Sequence, residues 1–116
     1  MTEELDYIVE RGDTLTIPLE FQVDDITPQS IVGWTIFFTL KKNKNDTDAQ
    51  AIISKDVTSH LDPTNGITSI TVTATETNTL LGPYYYDIQY KDADANIITI
   101  IKGTITFIVD ITRRIT

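Results

Sequence analysis

Few residues of this chain have both the type and the spacing to do chemistry. Of 116 residues one, His60, is a histidine and none is a cysteine. A zinc site of the His/Cys kind needs several such ligands, so His60 cannot seed one. It reads as a solvent-facing side chain beside a turn. No Gly-x-Ser-x-Gly elbow presents a serine nucleophile. Asp92-Ala93-Asp94-Ala95-Asn96 begins like a calcium-binding loop, with carboxylates at alternate positions. The likeness then fails: Ile97 stands where the turn glycine belongs and Gly103 where the bidentate glutamate belongs. A hairpin turn explains the stretch better. Arg11-Gly12-Asp13 spells an integrin-recognition tripeptide, yet a turn at the start of a strand accounts for each residue. Glycoside hydrolysis needs two carboxyl groups facing each other across a cleft, whereas the acidic residues here fall in turns or on outward strand positions. These residues point away from an enzyme and imply no cofactor and no metal.

The elements that would position any site are strands. Tyr84, Tyr86, Ile88 and Tyr90 alternate with Tyr85, Asp87, Gln89 and Lys91, the period of a strand with one buried face. Lys91–Asn96 supplies a polar turn, and Ile97–Val109, dense in Ile and Thr, completes a long hairpin. Gly103 within that last strand marks an expected bulge. Upstream, Asp6–Glu10 is a short strand that follows a frayed acidic start. Thr14–Val23 alternates from Leu15 to Val23, and Pro18 demands that one side of this strand be unpaired. Trp34–Lys42 points Trp34, Ile36, Phe38 and Leu40 inward. Lys41–Gln50 is an exposed loop, Ala51–Lys55 a short strand and Asp62–Gly66 a turn. Ile67–Thr73 turns Ile70 and Val72 inward, and Ala74–Leu81 holds one helical turn. About seven short strands with no long helix predict an all-β sandwich in a single domain spanning residues 1–116, with 1–5 and 114–116 as flexible or interaction tails.

Composition narrows the classes of partner. A net charge of −8 argues against nucleic acid, whose phosphates need a basic surface. No apolar run reaches the length of a membrane span, and MTEELDYIVE lacks the basic start and apolar middle of a signal peptide. The expectation is a soluble protein with no membrane partner, not exported by that route.

The inward Trp34 on the third strand, and a tyrosine strand entered through a helical turn, resemble immunoglobulin-like sandwiches. In those folds a tyrosine near the start of the sixth strand ties the preceding corner to the backbone, which implies that role for Tyr84 or Tyr86. The absence of cysteine departs from the disulfide-bridged antibody type. The order of phrases is more specific: Arg11-Gly12-Asp13-Thr14, Val32–Phe38, Gly66-Ile67, Thr73–Thr77, Leu81–Ile88, Lys102–Ile105 and Asp110–Arg113. It resembles small immunoglobulin-like proteins of tailed bacteriophages and is similar to the N-terminal domain of baseplate upper proteins, which anchor receptor-binding parts. The resemblance covers about Asp6–Arg113 and rests on structural motifs. Baseplate upper proteins continue into further segments, so a stand-alone virion component, made in the host cytoplasm, is implied.

Apolar side chains on the outward parity are the remaining functional signal. Phe37 and Tyr85 point away from the core, as do some of Ile98, Ile100 and Ile108. In an immunoglobulin-like fold their strands are neighbours in one sheet, and an exposed apolar patch marks a contact surface. The competing explanations are a covering Lys41–Gln50 loop and a bulge at Gly103 that turns Ile98 and Ile100 inward. The expected function is a non-enzymatic virion structural protein, in the tail, the baseplate or the head decoration. It would bind other virion proteins or further copies of itself, in part by strand addition through the Arg113–Thr116 tail. The alternative is a carbohydrate- or receptor-binding module in which Tyr85, Asp87 and Asp92 contact a host glycan.

Overall fold

Alternating stretches become strands. In the computed structural model, which describes residues 3–24 and 26–109, these are β1 (Glu3–Glu4), β2 (Tyr7–Glu10), β3 (Leu15–Glu20), β4 (Thr35–Lys41), β5 (Ile53–Val57), β6 (Ile67–Val72), β7 (Gly82–Lys91) and β8 (Ile97–Ile108). One turn of helix, α1 (Ala74–Thr77), precedes β7. The chain is all-β, and its strands stack as two sheets. In the larger sheet β1 and β2 follow one another along one edge, parallel to β8, and the order continues β8–β7–β4–β5 through antiparallel pairs. β3 and β6 pair antiparallel as a second sheet. Ile17, Leu19, Ile70 and Val72 from that sheet share one core with Ile36, Phe38, Leu40, Ile88, Ile105 and Phe107 of the larger one. Each such side chain stabilises the fold by about 1.5–3 kcal/mol when fully buried.

Three expectations are corrected along these strands. From Glu3 the acidic start is paired, not frayed, residues 1–2 lying outside the described ones: Glu3–Glu4 lies beside Ile101–Lys102, and the Leu5 N–H donates to the Lys102 carbonyl at 3.0 Å. The tail at 114–116 and the closing phrase at 110–113 lie outside the described residues. Gly103 is not the bulge. Pairing steps from Ile88 opposite Ile101 to Gln89 opposite Thr99, which leaves Ile100 as the extra residue. Gly103 instead lets the backbone between β1 and β2 pass close by, since a Cβ there would sit 2.0 Å from the Leu5 carbonyl oxygen. Finally, β3 ends at Glu20 and leaves Val23 exposed. Asp24 folds the chain back there, its carboxylate accepting the N–H groups of Ile26 and Thr27 at 2.9 and 2.7 Å. Those bonds hold its pKa below the ordinary value. Pro18 sits opposite Ser69 in a strand with a neighbour on one side only, as its missing N–H requires.

Side chains close both ends of the sandwich. At one end the buried Thr77 hydroxyl accepts the Gly12 N–H at 3.0 Å and donates to the Asp13 carbonyl at 2.8 Å. Arg11-Gly12-Asp13 is therefore a turn bound to α1, with Gly12 at φ 90° and the Asp13 N–H returning to Glu10. Thr73 and Glu76 cap α1 reciprocally, and Lys55 on β5 reaches Glu76 at 2.6 Å. Partial burial works against ionisation of Glu76, but the bonds from Lys55 and Thr73 outweigh it and keep its pKa below the ordinary value. At the other end Trp34 stacks on Tyr90 with ring centroids 4.4 Å apart, and Phe21 meets both edge-on. Ile31, whose carbonyl accepts the Trp34 N–H at 3.0 Å, is fully buried although the sequence places it in a loop. His60 is not solvent-facing but half-buried here. Its Nε2 donates to the Trp34 carbonyl and its Nδ1 accepts from the buried Thr68 hydroxyl, both at 2.9 Å. A carbonyl can only accept, so the neutral ring must carry its proton on Nε2.

Candidate functional site

Since the inner face of the larger sheet is core, the outer face of β4, β7 and β8 is where side chains remain available. Strand register arranges it in rows. Phe37, Gln89 and Thr99 form the first, Thr39, Asp87 and Lys102 the second, and Lys41, Tyr85 and Thr104 the third. Below them Pro83 lies beside Thr106, which pairs across β8 with Ile8, while Ile108 pairs with Glu10.

The second and third rows form the floor of an open cleft of about 400 Å³. Glu4 and Asp6 bound it along β8, and Lys44, from the loop after β4, bounds it across Tyr85. The wall at Asp6 is fixed, because one carboxylate oxygen accepts both the Thr104 N–H at 2.9 Å and the Thr104 hydroxyl at 3.1 Å. The loop wall is built by a turn in which the Asp46 N–H donates to the Asn43 carbonyl and the Asp46 carboxylate accepts the Asn43 N–H. Lys44 at the tip of that turn sets its Nζ 5.3 Å from the centre of the Tyr85 ring. At an exposed site such a contact contributes about 0.5–1 kcal/mol. The cleft thus has an aromatic floor and a lining in which Glu4, Asp6 and Asp87 balance Lys41, Lys44 and Lys102 in charge.

The five residues expected to share one apolar patch are dispersed. Phe37 is half-buried in the first row, with Asp56 of β5 opposite it. Tyr85 is half-buried within the cleft, under Lys44. Ile98 stands opposite Tyr90 at the aromatic end and is exposed. Ile100, the bulge residue, turns toward the core and lines a second groove of about 500 Å³ between β3 and the β1–β8 edge. Ile108 lies at the far end of the outer face, exposed beside Ile8.

The two corner tyrosines have other duties. Tyr84 packs edge-on against Phe107, with the Lys42 ammonium 4.6 Å from its ring centre. The Tyr86 hydroxyl donates to the Leu5 carbonyl at 2.7 Å, so it ties β7 to the first strands and leaves the corner before β7 to Thr77. Burial, followed by the nearby acidic Tyr7, Asp6 and Glu3, raises the Tyr86 pKa well above 10.0. In the β7–β8 turn Asp92 bonds its own loop: Oδ1 accepts the N–H groups of Asp94 and Asn96, both at 2.9 Å. Among the described residues no three His, Asp or Glu side chains come together as a metal site.

Lys44 and Lys102 were not singled out from the sequence as site residues. Lys102 carried a usable signal, the outward parity opposite Asp87. Lys44 carried none, because its place over Tyr85 depends on the turn at Asn43–Asp46. Compared with known proteins, the chain matches no protein-family model and no curated sequence.

Proposed function

We propose that the chain is a non-enzymatic structural protein of a tailed-phage particle, an immunoglobulin-like sandwich that acts through contacts with other virion proteins or with further copies of itself. The strand order supports the fold part of this reading. β4, β7 and β8 are neighbours in one sheet facing β3 and β6, the arrangement immunoglobulin-like sandwiches give to strands C, F, G, B and E.

The observation that carries the functional part is the apolar end of the outer face. Ile8 is 76% exposed and Ile108 40%, and register sets them diagonally adjacent on β2 and β8, with the exposed Pro83 of β7 on the other side of Thr106. Single exposed apolar residues are ordinary, but a contiguous group marks a contact surface. Light-scattering mass across a concentration series tests it. The reading expects a fixed oligomer, or an oligomer formed with a virion neighbour, that dissociates when Ile8→Ser and Ile108→Ser are combined. A wild-type chain that stays monomeric and binds no virion protein would sink it.

A second reading, a carbohydrate- or receptor-binding module, is favoured by one specific observation. Tyr85 and Asp87, two of the residues named for it, line the same cleft.

A further inference from the structure

We infer that the groove between β3 and the β1–β8 edge receives residues 110–116 of a second copy of this chain as an added strand, an inference that rests on the reading of the chain as one that contacts further copies of itself. The receiving edge is unpaired backbone. Among the described residues β3 has β6 on one side and no strand on the other. The Phe21 N–H donates to the Gly66 carbonyl at 2.9 Å, which extends the β3–β6 ladder by one pair. Hydrogen-bonded pairs alternate along an antiparallel ladder, so Leu19 and Ile17 also bond toward β6. Thr16, Pro18 and Glu20 then turn their backbone groups to the open side, a template for pairing with another chain. Pro18 withholds one donor there, which leaves the N–H groups of Thr16 and Glu20 and the carbonyls of all three.

The groove beside this edge is apolar and acidic. Leu5, Tyr7, Phe21 and Ile100 line it without being fully buried, and its charged lining is Glu3 and Glu20, with no lysine or arginine. Among the described residues neither carboxylate is paired with a basic side chain. Residues 110–116, Asp-Ile-Thr-Arg-Arg-Ile-Thr, have the complementary character. As a strand they share Ile111, Arg113 and Ile115 on one parity, which offers apolar side chains to the lining and a guanidinium to the carboxylates. Arg114 adds a second positive charge. The donor is another copy because the same copy's segment falls short. Glu3 pairs with Ile101, eight residues before Val109 and so about 26 Å back along β8. Arg114 is five residues past Val109 and reaches at most about 18 Å from it, part of which is used in reversing direction. Contacts of this kind join copies head to tail and close into rings when the rotation allows.

The test is the light-scattering mass of the intact chain beside two charge-reversed variants, Glu3→Lys with Glu20→Lys and Arg113→Glu with Arg114→Glu, each alone and the two mixed in equal amounts. Glu3 and Glu20 are exposed, so their replacement should leave the fold intact, which circular dichroism checks. Wild type should form an oligomer, and each variant alone should associate about 10-fold or more weakly, because like charges then meet in the groove. The mixture should regain the wild-type mass, since each variant's groove finds its opposite charge in the other's segment. Loss of association that mixing does not restore would overturn the inference. So would an oligomer that survives both pairs of substitutions but dissociates with Ile8→Ser and Ile108→Ser, and that result would keep the self-contact reading. A wild-type chain that is monomeric at every concentration would overturn both.

Discussion

Tyr85 and Tyr86 are adjacent in sequence, identical in chemistry and opposite in fate. Tyr86 faces the core, is 4% exposed, and spends its hydroxyl on the Leu5 carbonyl 81 residues away in sequence. Tyr85 faces outward, carries a lysine over its ring and lines a cleft. The pleat of β7 makes the difference. On the inner face a polar atom is tolerated only when it is bonded, so every group there is committed to the fold. On the outer face water can complete a side chain's bonding, so the loss of any one contact there leaves less unsatisfied. The inner face should therefore be costly to change and the outer face cheap, and graded substitutions along the two faces can break or sharpen that contrast.

The largest effect is expected at Gly103, where the inner face leaves no room for a side chain. Gly103→Ala places a methyl 2.0 Å from the Leu5 oxygen and 2.8 Å from its carbonyl carbon, both backbone atoms. Backbone cannot turn aside as a flexible side chain can, so β1 and the start of β2 must shift off β8 and take the Tyr86–Leu5 bond with them. Overpacking of this kind costs about 1–3 kcal/mol, and the lost bond adds to it. Denaturant unfolding should give a loss of about 3 kcal/mol. A loss below about 1 kcal/mol would show that the β1–β2 crossing is loose and that the inner face is not the rigid side of the pair.

Tyr86→Phe comes next. It keeps the ring and its tilted contacts with Tyr7 and Phe38 but removes the donor to Leu5. The expected loss is about 1–1.5 kcal/mol. The raised pKa adds a second readout. Folded Tyr86 holds its proton more tightly than the unfolded chain does, so its contribution is fully present below pH 10, the unfolded value, and falls as pH rises beyond it. Wild type should thus lose stability above pH 10 faster than Tyr86→Phe. Parallel pH profiles would mean that another group sets the alkaline limit.

The same contrast explains what was legible in the sequence. Period-two alternation marked Tyr84, Tyr86 and Ile88 as one face, and burial follows it residue by residue. Pro18 announced a strand with one open side. What escaped depends on residues far apart in the chain. Gly103 reads locally as a bulge, but its reason is the Leu5 backbone, met only after folding. The bulge at Ile100 was hidden because Ile97–Ile101 is apolar on both parities. His60 resembles any turn histidine until Trp34, 26 residues earlier, brings its carbonyl beside the ring. Thr77 looks like a helix filler, and only the return of the Gly12–Asp13 turn makes it the tie at that corner. Of the cleft, Tyr85 and Asp87 were legible from parity. Lys44 was not, because a loop residue has no parity to read.

Tyr85→Ser should have the smallest effect on stability, and its smallness is informative. The side chain loses its contact with Lys44, worth about 0.5–1 kcal/mol, and part of a half-buried ring surface. Tyr85 lies outside the buried core cluster that Tyr86 belongs to. A total loss of about 1 kcal/mol or less by denaturant unfolding is the expected outcome, no greater than that for Tyr86→Phe although far more side chain is removed. A loss of 3 kcal/mol would make Tyr85 a structural residue, with Lys44 and its loop a cover that the outer face requires in order to fold. A small loss would show that the Lys44 contact and the part of the cleft it borders are dispensable to folding, the outer-face behaviour that Tyr86 on the inner face should not share.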